Sequence, residues 1–349
     1  MARKALVAPA MHRLGWYHQR FFFSITPVPI DAIRAFIAAD MQAVDEVIRN
    51  RLHSDVVLIR QVAEYIIGGG GKRLRPALVI LSAEAFGYQG RHHHELAAVV
   101  EFIHTATLLH DDVVDESSLR RGRPTSNSLF GNAASVLVGD FVYSRAFQMM
   151  VGADNMRVLQ VLADATNVIA EGEVLQLMNC RNADIDEQGY LQVIRYKTAK
   201  LFEASTRLGA ILGRAPAEAE EAMAAYGTHL GTAFQLIDDV LDYSGDHAVI
   251  GKNVGDDLAE GKPTLPLIHA LRHGTREQAA LIRRAIEHGG IEELSAVLDT
   301  IRQTGALDYA REQAQTESRI AREALSFLPN SKYRDYLIQL ADFAVTRSY

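Results

Sequence analysis

The chain has 349 residues, with 36 Lys plus Arg against 43 Asp plus Glu and a formal net charge of −7. That acidity argues against a nucleic-acid partner, which needs a basic face, and an apolar content of 48% excludes wholesale disorder. The single cysteine, Cys180, excludes an internal disulfide and a cysteine-rich metal site, and no run of 18 uncharged apolar residues is present to cross a bilayer as a helix.

Residues 1–26 read differently from the rest. Arg3, Lys4, Arg13 and Arg20 are unaccompanied by any acid, and Trp16, Tyr17 and Phe21–Phe23 add an apolar, aromatic character. A secretory signal needs an unbroken apolar core; Arg13, His18 and Arg20 interrupt this one, so export is not expected and a cytoplasmic location is. The segment reads as a loosely ordered extension or as a membrane-surface segment, with the extension favoured. Pro27 and Pro29 then mark a boundary, and 27–349 is expected to form one domain.

Beyond that boundary prolines are sparse. Residues 125–215 and 217–262 contain none and are rich in Ala, Leu, Val and Glu with apolar residues at helical spacing. Long proline-free runs of strong helix formers predict long helices, and no alternating strands with hairpin turns stand out. The expected class is all-α. Arg91-His92-His93-His94, between Gly90 and a helix start, reads as an exposed turn with adventitious metal affinity at most.

Two segments carry the chemistry. EFIHTATLLHDDVVD (101–115) and FQLIDDVLD (234–242) each contain DDxxD. At roughly 100° per residue, Asp111 and Asp115 share one helix face, as do Asp238 and Asp242. Stacked like charges repel, and Asp is a poor helix-interior residue, so something must compensate. Hard carboxylate oxygens at this spacing suit Mg²⁺, which binds through few carboxylates plus substrate phosphates. A solvated acidic face is the bland alternative; both clusters end apolar stretches, which favours carboxylates lining a cleft. His104 falls within roughly 20° of Asp111, and Gln235 faces with Asp238.

Such a site needs anions, and basic groups are available to hold them. Gly68–Gly71 precede Lys72-Arg73-Leu74-Arg75-Pro76; Arg120-Arg121-Gly122-Arg123 follow Asp115; Lys197-Thr198, Lys200, Lys252 and Lys262 come later. Glycines let the backbone approach a ligand, and arginine forks match diphosphate oxygens. No Walker A loop, GxSxG or GxGxxG appears, and Cys180 reads as structural. The combination describes a site for two diphosphates.

The segments GGGGKRLRP (68–76), HTATLLHDDVVDESSLRRG (104–122), NVIAEGEVLQLMN (167–179), YKTAKLFEAS (196–205), GTAFQLIDDVLDY (231–243) and GKNVGDDLAEGKPTLPL (251–267), in this order, resemble the trans-isoprenyl diphosphate synthases, or polyprenyl synthetases. Within that family the pattern is most similar to bacterial enzymes making the octaprenyl (C40) side chain of ubiquinone. The resemblance implies an all-α isoprenoid-synthase fold around a central cavity, and a homodimer. It implies isopentenyl diphosphate on Lys72, Arg75, His104 and Arg121. It implies an allylic diphosphate on Arg120, Lys197, Thr198, Gln235, Lys252 and Lys262. Mg²⁺, usually three ions, falls on Asp111, Asp115 and Asp238, with Asp112, Asp239, Asp242 and Asp256 as supporting or water-mediated ligands. The catalytic set so implied is Asp111, Asp112, Asp115, Asp238, Asp239, Asp242 and Lys197.

Product length is expected from the channel that receives the growing chain. The resemblance points to Ala106 and Thr107, small residues before the first motif, and to Met150 and Leu162 at the floor. A long product follows: octaprenyl, with nonaprenyl or decaprenyl as alternatives, and at most transient membrane contact for its release. Gly172 and Gly231 are equally consistent with room for the chain and with close helix packing. A terpene cyclase would lack GGGGKRLRP, and a non-catalytic binding subunit would be expected to lose motif aspartates; all six stand.

Overall fold

A computed structural model describes residues 30–120, 122–244 and 254–347. The extension 1–26, Arg121 and Lys252 lie outside the described residues.

The chain is a helical assembly. In order it forms α1 (Ile30–Phe36), α2 (Ala38–Arg51), α3 (Val57–Gly68), α4 (Leu74–Ala85), α5 (His92–Val114), α6 (Ser126–Phe130), α7 (Asn132–Gly152) and α8 (Met156–Asn179). Then come α9 (Glu187–Ile194), a π-helical turn (Arg195–Ala199), α10 (Lys200–Leu212) and α11 (Ala217–Ser244). The last part holds α12 (Asp256–Ala259), α13 (Leu265–His273), α14 (Arg276–His288), α15 (Leu294–Gln303), α16 (Ala306–Ala324) and α17 (Lys332–Thr346). The proline-free runs became the long helices. Some starts carry side-chain caps: the Asn155 side chain accepts from the Arg157 and Val158 N–H groups at the start of α8, and Thr275 with Gln278 forms a capping box at the start of α14.

One departure from the all-helical expectation is small. Leu119–Arg120 pairs antiparallel with Arg123–Pro124, Arg120 opposite Arg123. Gly122, at φ 72°, supplies the left-handed turn that closes it. Two residues a side is too short to show as a pattern in sequence.

The main core is built by the inward faces of α2, α4, α5, α7, α8, α10, α11 and α17, with Leu78, Ile103, Leu109, Val142, Leu162, Phe202 and Leu340 almost fully buried. A second core under α12–α15 packs Leu258, Ile282, Ile286, Val297 and Ile301. α5 and α11 thus bring the ends that carry the two DDxxD motifs into the interior of the assembly.

The glycines at the centre serve close packing. A Cβ on Gly172 would lie 2.5 Å from the Lys197 backbone N, and one on Gly231 would lie 2.6 Å from Ala199 Cα. α8 and α11 therefore grip the π turn from two sides, which decides between the two readings those glycines left open.

The histidine run is the clearest correction. His92–His94 begin α5 rather than forming an exposed turn, and His93 is only 3% exposed. The first helical turn rotates His93 inward, against the Tyr88 ring (centroids 5.5 Å) and within reach of Asp40 on α2 and Glu84 on α4.

Gly172→Ala tests the central packing. Alanine gains up to about 1 kcal/mol of helix propensity, but the clash is with backbone and overpacking costs about 1–3 kcal/mol. The clash should win, and thermal melting should show Tm lower by up to about 3 °C in a chain of this length. An unchanged Tm would mean that the π turn yields freely.

Candidate active site

The two motifs are built alike. In each, the middle aspartate is buried and held by the chain itself, and the outer ones are half-buried. Asp112 is fully buried and accepts from Arg120 Nε (2.8 Å) and Nη2 (2.7 Å). Asn127 donates to the Asp112 carbonyl at 3.0 Å. Asp239, 2% exposed, accepts from Tyr190 Oη at 2.5 Å and Gln235 Nε2 at 2.8 Å. Burial pushes both carboxyls up against these donors; for Asp239, Asp257 adds to it and the value reaches about 8. The middle aspartates are therefore anchors that fix the helix ends.

The outer aspartates meet cations. Lys197 Nζ lies 3.5 Å from Asp111 Oδ2 and 2.5 Å from Glu173 Oε2. Lys262 Nζ lies 2.9 Å from Asp115 Oδ2 and also pairs with Glu260. Burial opposes both ammonium charges, but the neighbouring carboxylates outweigh it and raise both lysines above their ordinary value. Glu173 goes the other way for a salt-bridged acid. Burial raises it, Lys197 draws it back, Asp111 and Asp115 push it up, and it stands at about 7. Four carboxylates share two ammonium groups, so negative charge is in surplus here. Hard oxygen donors with that surplus fit a divalent cation. Among the described residues no three carboxylates of the two motifs lie within 4.8 Å of one another, and water or diphosphate oxygens would complete the coordination of such an ion.

The second motif faces a basic wall. Arg347, at the end of α17, places Nη1 2.7 Å from Asp238 and donates to the Phe234 carbonyl at 2.6 Å. Its guanidinium lies 3.9 Å from the centre of the Phe234 ring; Lys72 Nζ lies 5.7 Å from the same ring. Arg75 sits 4.5 Å from the centre of Phe202, whose ring packs at a tilt against Phe234. Aromatic faces thus carry three cations beside the carboxylates. Gly70, at φ 71°, shapes the loop that delivers Lys72. Arg73 instead turns away to Glu101 at 2.8 Å. Asp242 is half-buried and accepts from the Asp257 N–H at 3.4 Å; its carbonyl holds Gly255, which brings half-buried Asp256 alongside.

Thr198 donates to Gln235 Oε1 at 3.0 Å, so a chain runs from the π turn through Gln235 to Asp239 and Tyr190. On the other side His104, Gly69, Gly70, Asp112 and Arg120 line one cavity of about 50 Å³. A larger cleft of about 570 Å³ runs between α2 and the Gly71–Leu74 loop and includes Lys72.

Of the residues expected to set product length, Ala106, Met150 and Leu162 are fully buried in the main core. Thr107 is half-buried and donates to the His104 carbonyl at 2.9 Å. Cys180 caps α8, and burial raises its thiol, in keeping with a structural role.

Arg347, Tyr190 and Glu173 were not singled out in the sequence. Arg347 lies over 100 residues from Asp238, and Tyr190 belongs to no motif. Glu173 lies within NVIAEGEVLQLMN and could have been found, since it shares a helix face with Gln176.

The sequence profile of the polyprenyl synthetase family matches residues 56–301. The chain belongs to that family. It is 54% identical to octaprenyl diphosphate synthase of Escherichia coli over 319 residues, covering 91% of this chain and 99% of the relative. It is 47% identical to the geranyl-diphosphate-specific all-trans-nonaprenyl-diphosphate synthase of Rhodobacter capsulatus, over 90% of this chain and 97% of that one. The crystal structure of a polyprenyl synthase from Caulobacter crescentus, complexed with calcium and isoprenyl diphosphate, superposes with a TM-score of 0.89 at 44% identity, covering 93% of this chain and 99% of that one. The polyprenyl synthetase fold is thus the isoprenoid-synthase fold, and the chain is a prenyl-transferring enzyme. The family works with a divalent metal and with isopentenyl and allylic diphosphates.

The pH dependence of stability is a local test. A carboxyl raised to about 7 keeps its proton in the folded state while the unfolded chain has lost it, so folding stability falls as pH rises from about 4.5 to 7. In chelated protein, Glu173→Gln should flatten that part of the Tm–pH curve. Parallel curves for the two proteins would contradict the assignment.

Proposed function

We propose that the chain adds isopentenyl diphosphate units, head to tail and with trans geometry, to an allylic diphosphate such as farnesyl diphosphate, making octaprenyl (C40) diphosphate for a ubiquinone side chain. The observation that carries this reading is the pairing of three outer aspartates with the chain's own cations: Asp111 with Lys197, Asp115 with Lys262 and Asp238 with Arg347. A site so arranged takes a dianionic group together with cations. The identity to an octaprenyl synthase supports the C40 product, and the nonaprenyl relative makes C45 the second reading.

In this reading Asp111, Asp115 and Asp238 hold Mg²⁺, three ions in all, with Asp242 and Asp256 as further ligands. When bound, the ions supply positive charge to the departing diphosphate. The chain's own residues do the rest. Lys197, Lys262, Lys252, Arg120, Thr198 and Gln235 orient the allylic diphosphate; Lys72, Arg75, His104 and Arg121 hold isopentenyl diphosphate. The allylic C–O bond breaks and its electron pair leaves with diphosphate. The double bond of isopentenyl diphosphate attacks the resulting cation. A proton then passes to the released diphosphate, leaving a product five carbons longer. Fixed donors and cations in a dry site stabilise the departing charge without reorganising. Ala106 and Thr107 admit the growing chain, and Met150 and Leu162 form the floor.

We place the catalytic unit at residues 27–349, in the cytoplasm, as a homodimer. Leu137, Val151, Met156, Leu177 and Met178 on α7 and α8 are each more than 60% exposed, an apolar surface that a second copy would cover. Among the described residues no helix is long and apolar enough to cross a membrane, and membrane contact is proposed as transient, for product release.

The test is a product ladder from purified chain, farnesyl diphosphate, labelled isopentenyl diphosphate and Mg²⁺. It should end at C40, and Asp111→Ala should lower turnover by at least about 100-fold. Leu162→Phe should shift the end point to shorter products. A ladder ending at C45 would favour the second reading, an unchanged ladder for Leu162→Phe would remove it from the floor, and no elongation by folded protein would refute the reading.

A further inference from the structure

A second cluster of metal-binding side chains lies where α2, α4 and α5 meet. Neither ring nitrogen of buried His93 makes a hydrogen bond of normal geometry. Its Nε2 has carboxylate oxygens nearby but out of bonding range: Asp40 Oδ1 at 3.6 Å and Glu84 Oε1 at 3.9 Å. The Asp40 carboxylate and the Gly90 backbone are only weakly placed partners for the ring, and burying an imidazole so poorly satisfied is unfavourable and calls for an explanation. His94 Nε2 lies 2.9 Å from the same Asp40 oxygen, and the two imidazole rings are 3.9 Å apart. One donor atom each from Asp40, His93 and His94 falls within a 4.8 Å span, the one such trio among the described residues.

We propose that Asp40, His93 and His94 bind a transition-metal dication of the Zn²⁺ type, at a site separate from the aspartate motifs, tying α2 to the start of α5. Two imidazoles and a carboxylate are a normal zinc ligand set, whereas the all-oxygen motifs suit a hard ion. Two ligand bonds of about 2.0–2.1 Å at a tetrahedral angle hold their donor atoms about 3.4 Å apart. The observed 2.9 and 3.6 Å bracket that spacing, so small side-chain shifts complete the geometry. Burial, with His94 adding to it, lowers the His93 pKa, which favours the neutral ring a metal needs. Water takes the fourth position, or Glu84, which hydrogen-bonds Tyr333 on α17. The site would fix the orientation of α2, which also walls the cleft containing Lys72.

The test uses the full chain without a histidine tag, stripped by chelator and titrated with Zn²⁺ under excess Mg²⁺, which occupies hard sites. Calorimetry should give one Zn²⁺ per chain, and Tm should rise. Co²⁺ in its place should show the visible absorption of a tetrahedral centre. His94→Gln should weaken Zn²⁺ affinity at least about 100-fold, while its turnover in Mg²⁺ stays within about twofold of the parent. Asp40→Asn is the second variant, should His94→Gln fold poorly, and should lose both the stoichiometric site and the Tm rise. Absence of stoichiometric Zn²⁺ binding, or binding that neither substitution weakens, would overturn the proposal.

Discussion

Crowded negative charge at the inner ends of α5 and α11 is the constraint around which the structure is organised. Carboxylates on one helical turn repel, and burial makes the repulsion worse. The chain meets this in two ways. It buries the middle aspartate of each motif against fixed donors, Arg120 for Asp112 and Tyr190 with Gln235 for Asp239. It then places Lys197, Lys262 and Arg347 on the outer aspartates without matching their charge in full. Burial raises the Glu173 and Asp239 carboxyls, and the neighbouring carboxylates add to it.

The fold supplies the rigidity such a charge cluster needs. Lys197 and Thr198 ride on a π turn between α9 and α10, and the wider turn displaces them from the regular α-helical path. Gly172 and Gly231 allow two helices to close on that turn. Phe202 and Phe234 form an apolar shelf that holds Lys72, Arg75 and Arg347 beside the second motif. Charge, aromatic face and close backbone contact therefore act together, and each depends on the others being in place.

Much of this was legible in the residues. Proline-free, alanine- and leucine-rich runs give long helices by local propensity, so the all-α class follows from composition. The DDxxD spacing follows from helical periodicity. What periodicity does not encode is which long-range partner each charge finds. Arg347 on Asp238 and Tyr190 on Asp239 join residues about 110 and 50 positions apart, and no local pattern marks either. The π turn was equally hidden, since its residues, RYKTA, are ordinary helix formers. The histidine run misled because polar residues beside a glycine resemble a surface turn. Its burial depends on α2 and α4, which only the tertiary structure places there.

The central claim is that the outer aspartates are charge-deficient until a divalent cation and a diphosphate arrive together. Calorimetric titration with an unreactive allylic thiodiphosphate, with and without Mg²⁺, tests this most directly. Linkage requires each ligand to tighten the other by the same factor. The account predicts strong binding only when both are present, lost in Asp111→Asn and in Asp238→Asn. Equal affinity for the thiodiphosphate in chelated protein would contradict it.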